Sequence, residues 1–184
     1  MSLIPFGFWA ASGGGAAGAF DLLETTTLST SASSVTFSGL GAYSGYKHLQ
    51  VRIVATAPSG SGSANLRLTF NSDTGSNYSE HVLYGGGSTV NASGGANRSN
   101  IDLAGIMAAG STDIFGAGIV DILDFSSAQK NKTIRSLHGN KNSSNQYVYL
   151  ESGAWYNTSA ITSMNFTWAN NIAAGSRFSL IGIK

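Results

Sequence analysis

The chain has 184 residues, 42% of them apolar and 10% aromatic, which is enough for a buried core and excludes a wholly disordered chain. Charged residues make up only 10%, ten Lys plus Arg stand against nine Asp plus Glu, and no basic run concentrates charge, so no nucleic-acid partner is expected. Cysteine is absent, which excludes disulfides and thiolate metal sites, and no apolar stretch approaches the ~20 residues of a membrane helix, so no membrane partner is expected either.

Residues 1–19 stand apart. They set Ile4, Phe6, Phe8 and Trp9 among Pro5, Gly7 and the run Gly13 to Gly15. Large apolar side chains on a glycine-rich stretch predict an anchoring arm that binds a partner. Two other readings remain open. The arm could fold back over its own domain, or it could be a secretory signal ending at Ala17-Gly18-Ala19. The signal reading suffers because no Lys or Arg precedes the apolar stretch and Pro5 and Gly7 break its helix.

Residues 20–184 read as one domain of short strands. Two-residue alternation recurs: Leu49, Val51, Ile53 and Ala55 against His48, Gln50 and Arg52; Leu66, Leu68 and Phe70 against Arg67 and Thr69. Val148 and Leu150 alternate with Tyr147, Tyr149 and Glu151, and Met164, Phe166 and Trp168 with Asn165 and Thr167. Further strands are predicted near 20–28, 34–40, 78–84, 115–125, 133–137 and 177–183. Turn-rich connections fall at Pro58 to Ser63, Asn71 to Gly75, Gly85 to Gly87, Ser93 to Gly95 and Gly139 to Asn142. Only Ile101 to Gly110 reads as a short helix, capped by Ser99 or Asn100. Many short strands without intervening helices predict an all-β, antiparallel β-sandwich of jelly-roll type.

The chemistry-bearing residues are sparse. Asp73-Thr74-Gly75 has the tripeptide of aspartic proteases, but its polar neighbours Asn71, Ser72, Ser76 and Asn77 make it a turn. The three histidines, His48, His81 and His138, sit on separate segments with no metal-ligand spacing and read as surface or edge residues. Asp121 and Asp124 offer a calcium or acid/base pair, against the plainer reading of strand-end carboxylates answering Lys130, Lys132 or Arg135. Gly13 to Gly18 lacks the Lys-Ser/Thr of a phosphate loop, and seven Asn-x-Ser/Thr triplets read as hydrogen-bonding turn residues. No catalytic residue, cofactor or metal site is expected, and no enzyme. Tyr147, Tyr149, Trp155 and Tyr156 form a candidate sugar or subunit contact, because aromatic faces beside amides suit sugar rings as well as a partner chain.

The stretches FGFWAASGGGAAGAF, YKHLQVRIVA, LRLTFNSDTGSNYSEHVLYGGG, IVDILDFSSAQKNKTIRSLHG and GSRFSLIGIK resemble small β-rich virion proteins of tailed bacteriophages, particularly marine and cyanobacterial phages. The resemblance implies a non-enzymatic part of a phage particle: a capsid decoration or cement protein, or a component of the tail, baseplate or a fibre. Its partners would be other virion proteins, the major capsid or tail and fibre proteins, engaged through Ile4, Phe6, Phe8 and Trp9. A carbohydrate-binding or receptor-binding tip module of a fibre is the alternative. The charge-poor surface predicts a homotrimer in which three arms engage at once.

Overall fold

The computed structural model describes residues 18–59, 62–109, 113–141 and 146–184. In chain order the strands are β1 (Phe20–Thr27), β2 (Ala32–Ser38), β3 (His48–Ala55), β4 (Gly62–Phe70), β5 (Tyr78–Gly86) and β6 (Thr89–Arg98). They continue with β7 (Ile101–Ala109), β8 (Gly116–Leu123), β9 (Lys132–Lys141), β10 (Gln146–Trp155), β11 (Ser163–Ile172) and β12 (Arg177–Ile183). A single 3-10 turn, Leu40–Tyr43, joins β2 to β3. The strands form two antiparallel sheets packed as a sandwich, one ordered β1-β12-β3-β8-β9-β10-β5-β6 and the other β2-β11-β4-β7.

Alternation explains the packing. Leu49, Val51 and Ile53 are fully buried against the small sheet, and Leu180 and Phe178 on β12 join them. Phe166 on β11 bridges the layers, meeting Phe37 edge-on at 6.4 Å and Phe178 at 5.6 Å. Truncating such a ring to alanine would cost ~3–5 kcal/mol through lost burial and the cavity left behind. Within β1-β12-β3-β8 and β2-β11-β4-β7, spatial neighbours come from opposite ends of the chain, and the chain changes sheet at each of its first three connections. That interleaving is compatible with the jelly-roll type. Two additional hairpins, β5-β6 and β9-β10, both extend the large sheet beyond β8.

Three expectations need correcting. Ile101 to Gly110 is not a helix, since Ile101–Ala109 is a strand paired with β4. Gly105 sits there at φ +65, the register slips between Ala64 and Leu66, and Asn65 Oδ1 accepts from Gly105 N–H at 2.8 Å. The bulge sends Ile101, Leu103, Ile106 and Met107 all inward, a spacing that mimics a helix face. Two expected connections lie inside strands: Ser93-Gly94-Gly95 in β6, the exposed edge strand, and Gly139 to Lys141 in β9, with Asn142 outside the described residues. On β10, finally, the apolar residues face out: Val148 and Leu150 are 56% and 55% exposed, while Tyr149 and Glu151 are 7% and 2%.

Candidate functional site

The small sheet has half as many strands as the large one, so the β9-β10-β5-β6 half overhangs it, with β7 as the nearest cover. Toward Tyr147, Tyr149 and Glu151 the inner face of that overhang is polar, whereas Tyr78, Ile134 and Trp155 at its other end join the core. Register places His138, Tyr149 and Tyr84 in one row across β9, β10 and β5, with Ser136, Glu151 and Val82 in the next. Between this face and β7 lies a cleft of about 450 Å³, walled by Tyr84, Tyr147 and Tyr149 on one side and by Glu80, Arg98 and Asp102 on another.

The aromatic wall is a stack. Tyr149 lies between Tyr84, at 5.5 Å, and His138, at 5.0 Å, with Tyr147 tilted against it at 6.0 Å. His138 Nε2 meets the Ala104 carbonyl at 2.6 Å, and a carbonyl only accepts. The ring is therefore the Nε2–H tautomer, and its Nδ1 accepts from the Ser136 hydroxyl at 3.2 Å. Burial holds the His138 pKa below the usual imidazole value, so the ring is neutral and cannot repel a neighbouring cation. Asn140 donates to the Gly105 carbonyl from the same wall. A side chain at Gly105 would run into the Tyr149 ring, and one at Gly86 into Tyr147. Glycine at both positions lets the rings lie directly on backbone.

The acidic wall is desolvated. Glu80 Oε1 pairs with Arg98 Nε at 2.9 Å, and its Oε2 accepts from Asp102 N–H at 3.4 Å. Burial raises the Glu80 pKa, with Arg98 opposing. Glu151 Oε2 accepts from Ala104 N–H at 3.3 Å. Burial, with smaller contributions from Glu80 and Asp102, pushes the Glu151 pKa up to about 8, so it holds its proton at neutral pH. Glu151 Oε1 and Asp102 Oδ1 are buried without a hydrogen-bond partner, although Arg67 Nε approaches Asp102 Oδ1 to 3.7 Å. Among the described residues, no group of three His, Asp or Glu side chains could hold a metal ion.

The outer face of the same overhang is apolar. Leu83, Leu150, Leu137 and Ile119 form one row across β5, β10, β9 and β8, and Val148 stands beside it. Their exposures run from 39% at Ile119 to 57% at Leu137, and Val90 on the edge strand reaches 73%. Together they expose on the order of 500 Å² of apolar surface, near the upper end for a free monomer. A shallow pocket of about 320 Å³ lies within the row, lined by Ile119, Leu137 and Leu150 with the polar group Gln50, Asp121 and Arg135. A second, about 350 Å³, lies along β1 where Phe20 and Leu22 meet Arg52 and Arg177.

Of the residues singled out in the sequence, Tyr147 and Tyr149 come together in the cleft, whereas Trp155 and Tyr156 do not join them. Trp155 is core, 1% exposed, stacked on Tyr78 at 6.3 Å, and its Nε1 donates to Asp73 Oδ2 at 2.7 Å. Tyr156 is exposed and bonds Ser79 at 3.0 Å. Asp73 is the turn residue its neighbours predict: it also accepts from Gly75 N–H at 2.8 Å and Asn77 Nδ2 at 3.0 Å. These bonds, Trp155 first, hold its carboxyl below the usual range. Asp121 pairs with Arg135 at 3.0 Å and Asp124 with Lys130 at 2.6 Å, as strand-end carboxylates should. Lys132 answers neither; it is buried, and its Nζ donates to the carbonyls of Lys130 and Thr158. His48 accepts from Asp124 N–H at 2.9 Å, while His138 is buried in the cleft wall rather than at the surface. Ile4, Phe6, Phe8 and Trp9 lie outside the described residues. The sequence reading missed Glu80, Tyr84, Arg98, Asp102 and Glu151. The available signal was that Tyr147, Tyr149 and Glu151, at i, i+2 and i+4, share a strand face. No family model, curated protein or solved structure gives a significant match to this chain.

Proposed function

We propose that this chain is a non-enzymatic structural component of a phage particle, a capsid decoration protein or a tail or fibre attachment, that assembles as a homotrimer with other virion proteins. The exposed apolar outer face of the large sheet carries this reading. A face of Leu83, Ile119, Leu137, Val148 and Leu150, flanked by the paired charges of Asp121 and Arg135, suits burial against another copy or another virion protein. Burying such a face would contribute about 12 kcal/mol before ordering costs, at ~25 cal/mol per Å². The resemblance to small virion proteins supports the same reading, and the arm at Ile4 to Trp9 adds a second contact on each subunit.

Light scattering on the full chain at low and high salt tests it. A trimer unchanged by salt is expected, because the contact is apolar rather than ionic. Leu137→Asp with Leu150→Asp should give a monomer of unchanged circular dichroism, since both side chains point away from the core. A wild-type monomer at both salt concentrations, or a trimer indifferent to the double substitution, would overturn the reading.

A further inference from the structure

We propose that the cleft beneath the overhang is a binding site for a neutral hexopyranose unit of a glycan, with the tyrosine stack as its platform and the Glu80, Arg98 and Asp102 wall as its hydroxyl partners. This goes beyond the assembly reading and does not depend on it. The volume, about 450 Å³, falls within the ~300–1,000 Å³ of small-molecule sites, enough for a sugar ring with part of a neighbour.

The two walls match the two faces of a pyranose. Half-exposed Tyr84 and Tyr147 present ring surface for the C–H face, backed by buried Tyr149. Glu80 and Asp102 accept from sugar hydroxyls and Arg98 donates to them, bonds that gain strength from the charge of the protein group. The charge balance selects the ligand class. Glu80 is matched by Arg98 and Asp102 by Arg67, while Glu151 holds its proton at neutral pH. A phosphate or an amine would therefore find no net field to reward it, whereas a neutral polyol finds donors and acceptors together.

The platform is also held in place before any ligand arrives. Tyr149 is clamped between Tyr84 and His138 and rests on Gly105, Tyr147 lies on Gly86, and Arg98 lies over Gly95. Little side-chain freedom remains to be lost on binding. Asp102 Oδ1 in this wall, and Glu151 Oε1 behind it, are buried atoms with hydrogen-bonding capacity left over.

Saturation-transfer NMR and titration calorimetry on the full chain, with glucose, galactose and mannose oligosaccharides of two to six units as probes and glucose 6-phosphate and glucosamine as charged comparisons, test the proposal. Binding of at least one neutral oligosaccharide is expected, with Kd on the order of 0.1–10 mM, as a single-ring site allows. Tyr84→Ala should weaken it more than ten-fold. Ser93→Trp, which fills the cleft from the exposed edge strand while leaving every platform residue unsubstituted, should abolish it with the fold and the oligomeric state intact. Leu137→Asp on the opposite face should leave it unchanged. No binding by folded wild-type protein, binding that survives Ser93→Trp, or a preference for phosphorylated or amino sugars would each overturn it.

Discussion

Glu151→Gln should make the protein more stable at neutral pH. Glu151 is 2% exposed, and its pKa rises from an ordinary 4.5 to about 8, mainly through burial. Below pH 4.5 the carboxyl is protonated in both the folded and the unfolded chain. As pH rises between the two values, the folded chain keeps a proton that the unfolded chain releases, so stability falls by about 1.4 kcal/mol per pH unit. The loss reaches about 3 kcal/mol at pH 7 and about 5 kcal/mol above pH 8. Glutamine has the shape of the protonated acid, its amide oxygen can accept from Ala104 N–H, and it does not ionise. The variant should therefore match the wild type near pH 4.5 and exceed it by about 3 kcal/mol at pH 7, a rise in Tm of roughly 6–12 °C for a chain of this size. Thermal unfolding of both proteins from pH 4.5 to 9, followed by circular dichroism, measures this directly. Glu80 on β5, Arg98 on β6, Asp102 on β7 and His138 on β9 face the same space, but all are present in both proteins. The difference between the curves thus isolates Glu151. A difference that stays constant with pH, or a variant less stable at pH 8, would refute the reasoning.

Asp73→Asn should lower stability by about 1–3 kcal/mol, because an amide cannot accept from Trp155, Gly75 and Asn77 together. Its carboxyl is held below the usual range, so the stability it contributes is present above the ordinary Asp value and disappears as pH falls through the lowered one; the variant's acid unfolding limb should be flatter, as read by Trp fluorescence against pH. Gly105→Ala combines a left-handed backbone, costing ~1–2 kcal/mol, with a methyl group driven into the Tyr149 ring. It should lower Tm more than an alanine at Gly41, where a side chain meets open space; equal effects would remove the role given to the bulge.

The amino-acid sequence by itself determined the strand architecture, because alternation is a local signal: Leu49, Val51 and Ile53, or Leu66, Leu68 and Phe70, mark an extended segment with two unlike faces, and in these strands the apolar face is the buried one. Turn chemistry was equally local, and Asp73 is held by partners two and four residues away as its polar neighbours predict, with distant Trp155 the addition. Only the tertiary structure decided which face of a strand is inside. In Tyr147-Val148-Tyr149-Leu150-Glu151 alternation is clear, yet the polar set is buried and the apolar set exposed. The reason is that this end of β10 lies where an eight-stranded sheet overhangs a four-stranded one, so its inner face lines a cleft at Tyr147 and Tyr149 and reaches the core only at Trp155. The same holds for the cleft itself. Glu80, Asp102 and Glu151 come from β5, β7 and β10, and their proximity depends on a register and a layer contact that no local pattern encodes. Ile101 to Ala109 reads as helical for a related reason: a single left-handed glycine shifts the strand's alternation, and at that bulge Asn65 and Tyr149, both distant in sequence, meet Gly105.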